Sequence, residues 1–129
     1  MSSALETITD YINDARTILQ DIAAPFRYDD PSLVVAMNVA LLEGRRMRPD
    51  LFVYHKLITG QKGVQSFSAN DNSRVYIEEQ FRLAFLYGLL GHALTRDQED
   101  IQDERAATFF GIFSSLLIGT SPKPPPGAA

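Results

Sequence analysis

The chain contains no cysteine and no tryptophan, and only two histidines among its 129 residues. Without cysteine there is no disulfide, no thiolate zinc site and no cysteine nucleophile. His55 and His92 have no second ligand at coordinating spacing, so there is little material for metal or acid–base chemistry. Basic charge is scarce as well. Twelve Lys and Arg face sixteen Asp and Glu, and the net charge of −4 gives no global basic field for nucleic acid. Long apolar runs are missing. The longest charge-free stretch, Ala106 to Pro122, carries Thr108, Ser114 and Ser115, and its apolar part is shorter than the roughly 20 residues a bilayer span needs. The opening MSSALETITDY has neither the basic lead nor the apolar centre of a secretion signal. Nucleophile elbow, Gly-rich phosphate loop and EF-hand spacing are all absent. These gaps point away from a self-contained enzyme, and no cofactor is expected.

What is present suits a single globular domain: 45% hydrophobic and 22% charged residues, in a chain long enough to bury a core. The pattern predicts an all-α, four-helix bundle-like domain over 1–118, with an irregular or β-hairpin insertion between the second and third helices and an extended tail over 119–129. Helix one is expected from Ser3, with Ser3 and Glu6 spaced as a capping box. Leu5, Ile8, Ile12, Ala15 and Leu19 then recur at helical spacing. Pro25 closes the segment, and Phe26 and Tyr28 anchor the loop. Helix two is expected to open with Asp30 as N-cap and Pro31 at the first helical position, and to end near Arg46 before Pro49. Leu33, Val34, Val35, Val39 and Leu42 surround its axis.

Residues 50–75 break the helical pattern. LFVYHKL suits a short strand or a helical turn, Gly60 and Gly63 interrupt the chain, and NDNS is turn chemistry. A β-hairpin or protruding arm is expected there. Helix three, from about Ile77 to Leu94, is apolar all round through Phe81, Leu83, Phe85, Leu86, Leu89, Leu90 and Leu94. Ala84, Gly88 and Gly91 fall in a narrow arc. Glycine inside a helix costs about 1 kcal/mol relative to alanine. Close approach of another backbone offsets that cost, and the expected neighbour is a helix of the same chain. Helix four follows Thr95, with acids in its first turn, and ends before Gly119. The closing GTSPKPPPGAA is polyproline-like.

Two helices apolar on all sides compete for one central place. Helix four adds a face wider than a single packing contact needs. The excess is expected to be covered between chains, so the protein is read as a homo-oligomer, with Phe109, Phe110, Phe113 and Leu117 at the subunit interface, or as one that docks on a larger partner. Arg45, Arg46 and Arg48, followed by Lys56 and Lys62, either compensate the end of helix two or form a patch for phosphates or an acidic partner. Glu99, Asp100, Asp103 and Glu104 are read as acids favoured at a helix start rather than as a metal site.

Two family resemblances arise from these segments. LLEGRRMRPDLFVYHKLITG resembles the Gly-Lys-Arg-Leu-Arg-Pro segment of isoprenyl diphosphate synthases, which hold magnesium on a diphosphate with two aspartate-rich motifs. DQEDIQDE departs from the first motif and the second is absent. The broader resemblance is to the head-to-tail adaptor, head-completion or connector proteins of tailed bacteriophages. It rests on FRYDDPSLVVAMN (26–38), ALLEGRRMRPDLF (40–52), IEEQFRLAFLYGLLGHAL (77–94) and TRDQEDIQDERAATFFGIFSSLL (95–117), which match that family's segments in order and spacing.

That resemblance implies a virion protein of the head–tail junction, made in the host cytoplasm. It implies a dodecameric ring beneath the portal protein that passes packaged DNA without sequence-specific contact and meets tail or nozzle proteins. Under it, 50–75 becomes an arm, the tail around Pro122, Lys123, Pro124 and Pro125 contacts portal or tail, and the basic cluster lines the channel or meets acidic portal loops. No membrane contact is implied. A small soluble regulatory or immunity-type helical binding protein is one rival expectation; a membrane-associated helical protein, suggested by the Phe-rich last helix, is the other.

Overall fold

The computed structural model describes residues 4–19, 28–52, 65–68, 70–95 and 103–119, with the side chains of Asp103 and Glu104 left aside. Of the described residues 76% are helical and none forms a strand, so the chain is mainly α-helical. Four α-helices run in order: α1 (Ile8–Leu19), α2 (Asp30–Met47), α3 (Glu79–Thr95) and α4 (Asp103–Ile118), with a 3-10 turn at Pro49–Phe52 after α2.

α1 starts one turn later than Ser3 and Glu6 predict. Leu5 takes a φ of 55°, a left-handed conformation that a helix start at Ser3 could not contain. The reciprocal cap forms instead at Thr7 and Asp10. Thr7 Oγ1 accepts from the Asp10 N–H at 3.2 Å, and Asp10 Oδ2 accepts from the N–H groups of Thr7 and Glu6 at 3.1 and 3.0 Å. α2 is capped by Asp29 rather than Asp30: Asp29 Oδ1 accepts from the Ser32 N–H at 2.8 Å. That leaves Asp30 to pair with Arg16, a buried charged residue on the inner face of α1. Arg16 Nη1 also donates to the Tyr28 carbonyl at 2.6 Å, so its charge is hydrogen-bonded at both ends of the guanidinium. Tyr28 is buried, as an anchoring plug should be; Phe26 lies outside the described residues.

α3 takes the centre and packs against α1, α2 and α4. Phe81, Phe85, Leu89 and Leu90 are fully buried along it. Its small residues admit neighbours of the same chain. A Cβ on Gly88 would lie 3.1 Å from the Ala40 Cβ of α2 and 3.2 Å from the Phe113 ring of α4; one on Gly91 would lie 2.7 Å from the Phe110 ring. An aromatic file joins the layers: Phe85 stands edge-on to Phe52 at 6.0 Å and to Phe113 at 5.5 Å between centroids.

The described parts of 50–75 lie down on this body. Leu51, Phe52, Phe67 and Val75 are buried. Two side-chain amides bind backbone in the manner of strand partners. Asn38 donates to the Phe67 carbonyl at 2.8 Å and accepts from its N–H at 2.9 Å. Gln65 donates to the Arg74 carbonyl at 2.9 Å and accepts from the Tyr76 N–H at 2.8 Å. An isolated antiparallel bridge, Thr7 with Arg74, ties this segment to the entry of α1. The core of the expected arm, residues 53–64, lies outside the described residues, as does the tail with Pro122, Lys123, Pro124 and Pro125.

Candidate functional site

α2 buries Leu33, Val34, Ala36, Met37, Ala40, Leu41 and Gly44 against the rest of the fold. Three apolar side chains on its other side are exposed in part: Val35 is 38%, Val39 36% and Leu42 61% exposed. Single exposed apolar side chains are ordinary, but these three recur at spacings of four and three along one helix face. The other large apolar side chains exposed among the described residues are Leu83 on α3 and Ile118 at the end of α4.

The basic cluster divides. Arg45 is exposed and has no partner among the described residues. Arg46 is exposed and pairs along the helix with Glu43 at 2.6 Å. Arg48 turns inward. Its Nε and Nη2 grip both oxygens of Asp50 at 3.0 and 2.8 Å, Nη1 donates to the Leu117 carbonyl at 2.6 Å, and the guanidinium lies 5.7 Å from the Phe81 ring centroid. It joins the end of α2 to the end of α4, so as a partner contact Arg48 is corrected to a structural clamp. Donation from Arg48 holds the Asp50 carboxyl below its ordinary range. Lys56 and Lys62 lie outside the described residues.

The four residues expected at an interface on α4 divide as well. Phe113 is 1% and Leu117 0% exposed, both inside the chain's own core. Phe110 is half-buried against His92, with centroids 4.8 Å apart, and Phe109 is half-buried against Tyr87 at 5.6 Å. α3 takes up part of α4's apolar face, with the Phe113 and Phe110 rings lying close over Gly88 and Gly91.

A cleft of about 280 Å³ opens between α2, α3 and α4, lined by Glu43, Met47, His92, Phe110, Phe113 and Ser114. His92 Nε2 is buried without a hydrogen-bond partner, and burial pushes the imidazole pKa below its ordinary value while Glu43 pulls the other way. The cleft offers one imidazole and one carboxylate already engaged by Arg46. Among the described residues no group of His, Asp and Glu could hold a metal ion; Glu99 and Asp100 and the side chains of Asp103 and Glu104 are not among them. Nor is any described helix long and apolar enough to cross a membrane.

Sequence reasoning missed Arg16, although its position eight residues after Ile8 and four after Ile12 puts it on the apolar face of α1. A charged residue in register with a buried stripe was the available signal. Fold and surface together define a small α-helical domain with an uncovered apolar strip on its second helix. Comparison with protein-family models, with curated proteins and with solved structures finds no match in any of the three.

Proposed function

We propose that the protein is a non-enzymatic virion component, the head-to-tail adaptor of a tailed bacteriophage. It docks as a dodecameric ring beneath the portal, extends the DNA channel and offers the tail its attachment platform. Two lines support this reading: the order and spacing of the four segments quoted above, and the apolar strip of Val35, Val39 and Leu42, which carries it. A strip that the chain leaves uncovered is surface for another macromolecule. The mechanism is associative. Neighbouring copies bury apolar faces, and the ring then engages the portal through many weak contacts that add through effective concentration. Exposed Arg45 and Arg46 meet acidic portal loops; Arg48, committed to Asp50 and Leu117, does not take part.

Co-sedimentation with purified portal assemblies tests the proposal. The wild-type chain pellets with them. The double variant Arg45→Glu, Arg46→Glu keeps its helical circular dichroism and loses most of its incorporation into particles. Undiminished incorporation refutes the role given to these arginines, and failure of the wild type to bind portal refutes the adaptor reading. One observation favours the rival. The core closes about α3 within a single chain, as a small regulatory or immunity-type binding protein requires. That protein binds one soluble partner as monomer or dimer and ignores portal assemblies.

A further inference from the structure

We infer that the Pro-rich segment of this chain, residues 122–126, seats in the cleft between α2, α3 and α4 of the same molecule, with Lys123 beside Glu43. The inference does not rest on the virion setting.

The cleft suits a short extended segment. At about 280 Å³ it lies just below the usual range of small-molecule pockets, so it takes a few side chains and not a helix face. Met47, Phe110 and Phe113 supply its apolar surface, and the polar side chains of its wall are few: Glu43, His92 and Ser114. Ordinary backbone laid on such a wall would bury N–H groups with few acceptors to meet them. Residues 122–126 read Pro-Lys-Pro-Pro-Pro, so four of the five have no N–H to bury. Proline also fixes φ, and Pro-rich segments dock on aromatic-lined grooves because little chain entropy opposes it.

Charge points the same way, as a minor contribution. Lys123 is the only charged residue from Ala106 to Ala129, and Glu43 is the only carboxylate of the cleft wall. Arg46, itself exposed, engages Glu43 through Oε1 alone, at 2.6 Å. A carboxylate has lone pairs for several donors, so Oε2 can take a lysine ammonium. Arg46 repels that ammonium, so the ion pair is weak and screened by salt, and the apolar contacts dominate.

The connection is short enough. α4 ends beside the last turn of α2, where Arg48 donates to the Leu117 carbonyl at 2.6 Å. The Gly119 N–H closes the helix on the Ser115 carbonyl at 2.9 Å, little more than one turn beyond Ser114 of the cleft wall. Glu43 lies five positions before Arg48, about 7.5 Å along α2. Four residues of extended chain from Gly119 to Lys123 span about 12 Å, and Thr120 and Ser121 suit a reversal of direction. A segment tethered this closely meets the cleft at an effective concentration of about millimolar, so weak contacts suffice.

The absence of native cysteine gives a clean test in the full-length chain. Met47, in the cleft wall, and Arg45 are two positions apart and stand about 160° apart around α2, so both are near the root of the segment but only one faces its proposed seat. On mild oxidation, the double variant Met47→Cys, Pro124→Cys is expected to close an intramolecular disulfide at least about tenfold faster than Arg45→Cys, Pro124→Cys. Equal rates, or a Met47–Pro124 link that forms only between chains, overturn the proposal. NMR supplies a second measurement without cysteines. Replacing Pro122, Pro124, Pro125 and Pro126 by serine is expected to shift the ring signals of His92 and Phe110 while leaving those of Tyr11, buried away from the cleft, in place. Unmoved His92 and Phe110 signals likewise overturn it. Neither measurement involves portal assemblies, so the adaptor reading stands or falls separately.

Discussion

α2 and α3 look alike in the sequence and end in different places. Both are apolar around nearly the whole axis, yet α3 packs against the other three helices and exposes Leu83 alone among its large apolar side chains, while α2 exposes Val35, Val39 and Leu42 along one face. The difference lies in where the small residues fall. α3 carries Gly88 and Gly91 where the rings of Phe113 and Phe110 approach, so bulk can close in on it. α2 gathers its small residues, Ala36, Ala40 and Gly44, on the side that meets α3, and leaves Val35, Val39 and Leu42 exposed on another side. Total hydrophobicity says that a helix wants cover. The distribution of side-chain volume around it says whether its own chain can provide that cover.

The sharpest way to break this contrast is to truncate one side chain on each helix and compare. Phe85→Ala removes a fully buried ring that touches Phe52 and Phe113, and should destabilise the fold by about 3–5 kcal/mol. Val39→Ala on the open face of α2 should change the stability of the isolated monomer by about 0.5 kcal/mol or less. Urea unfolding at a concentration low enough to keep the chain monomeric gives both numbers. Equal losses would mean that the strip is not solvent-facing, and the distinction between the helices would go.

Gly44→Ala is the next largest effect and tests the inner face of α2. Alanine is the better helix former by about 1 kcal/mol. A Cβ at this position would nonetheless meet the Phe85 ring, with Cζ at 2.5 Å. Phe85 stands edge-on to two other rings, so its withdrawal would disturb both contacts, and overpacking is expected to outweigh propensity. A net loss of about 1–3 kcal/mol is expected. A stabilised variant would show that the contact between α2 and α3 is looser than the geometry requires.

How far the fold could be read from residues alone follows the same division. Periodicity was enough for α1, α2 and α3, and the arc of Ala84, Gly88 and Gly91 announced a close neighbour within the chain. Caps were placed one residue or one turn off, because choosing between Asp29 and Asp30, or between Ser3 and Thr7, depends on what Arg16 and the turn at Leu5 require. Surplus apolar surface is legible in the pattern of α2, but the width of the apolar face alone points to Phe109, Phe110, Phe113 and Leu117 of α4. Counting apolar residues on one helix cannot tell how many rings the next helix will accept. The amide clamps of Asn38 on Phe67 and of Gln65 on Arg74 and Tyr76 left no trace in the pattern, since they join polar side chains to backbone groups far along the chain.

The smallest effect concerns the one imidazole that the central helix half-encloses. Burial against Phe110 lowers the pKa of His92 from its ordinary 6.5, and Glu43 of α2, facing the same cleft beside Arg46, limits the shift. The α4 residues lining the cleft, Phe110, Phe113 and Ser114, carry no charge. Above about pH 6.5 the ring is neutral in folded and unfolded chains alike, and contributes nothing to the pH dependence. As pH falls below that value the unfolded chain takes up a proton that the folded chain resists, so stability declines until the lower folded pKa is passed. Melting temperature should therefore drop as pH falls below about 6.5, and His92→Gln should flatten part of that drop. His55 is present in both proteins, so its titration affects both profiles and largely cancels in their difference. Parallel profiles would place the imidazole in water. α3 would then be open along the cleft, and its enclosure, the feature that separates it from α2, would stop short of the helix's last turn.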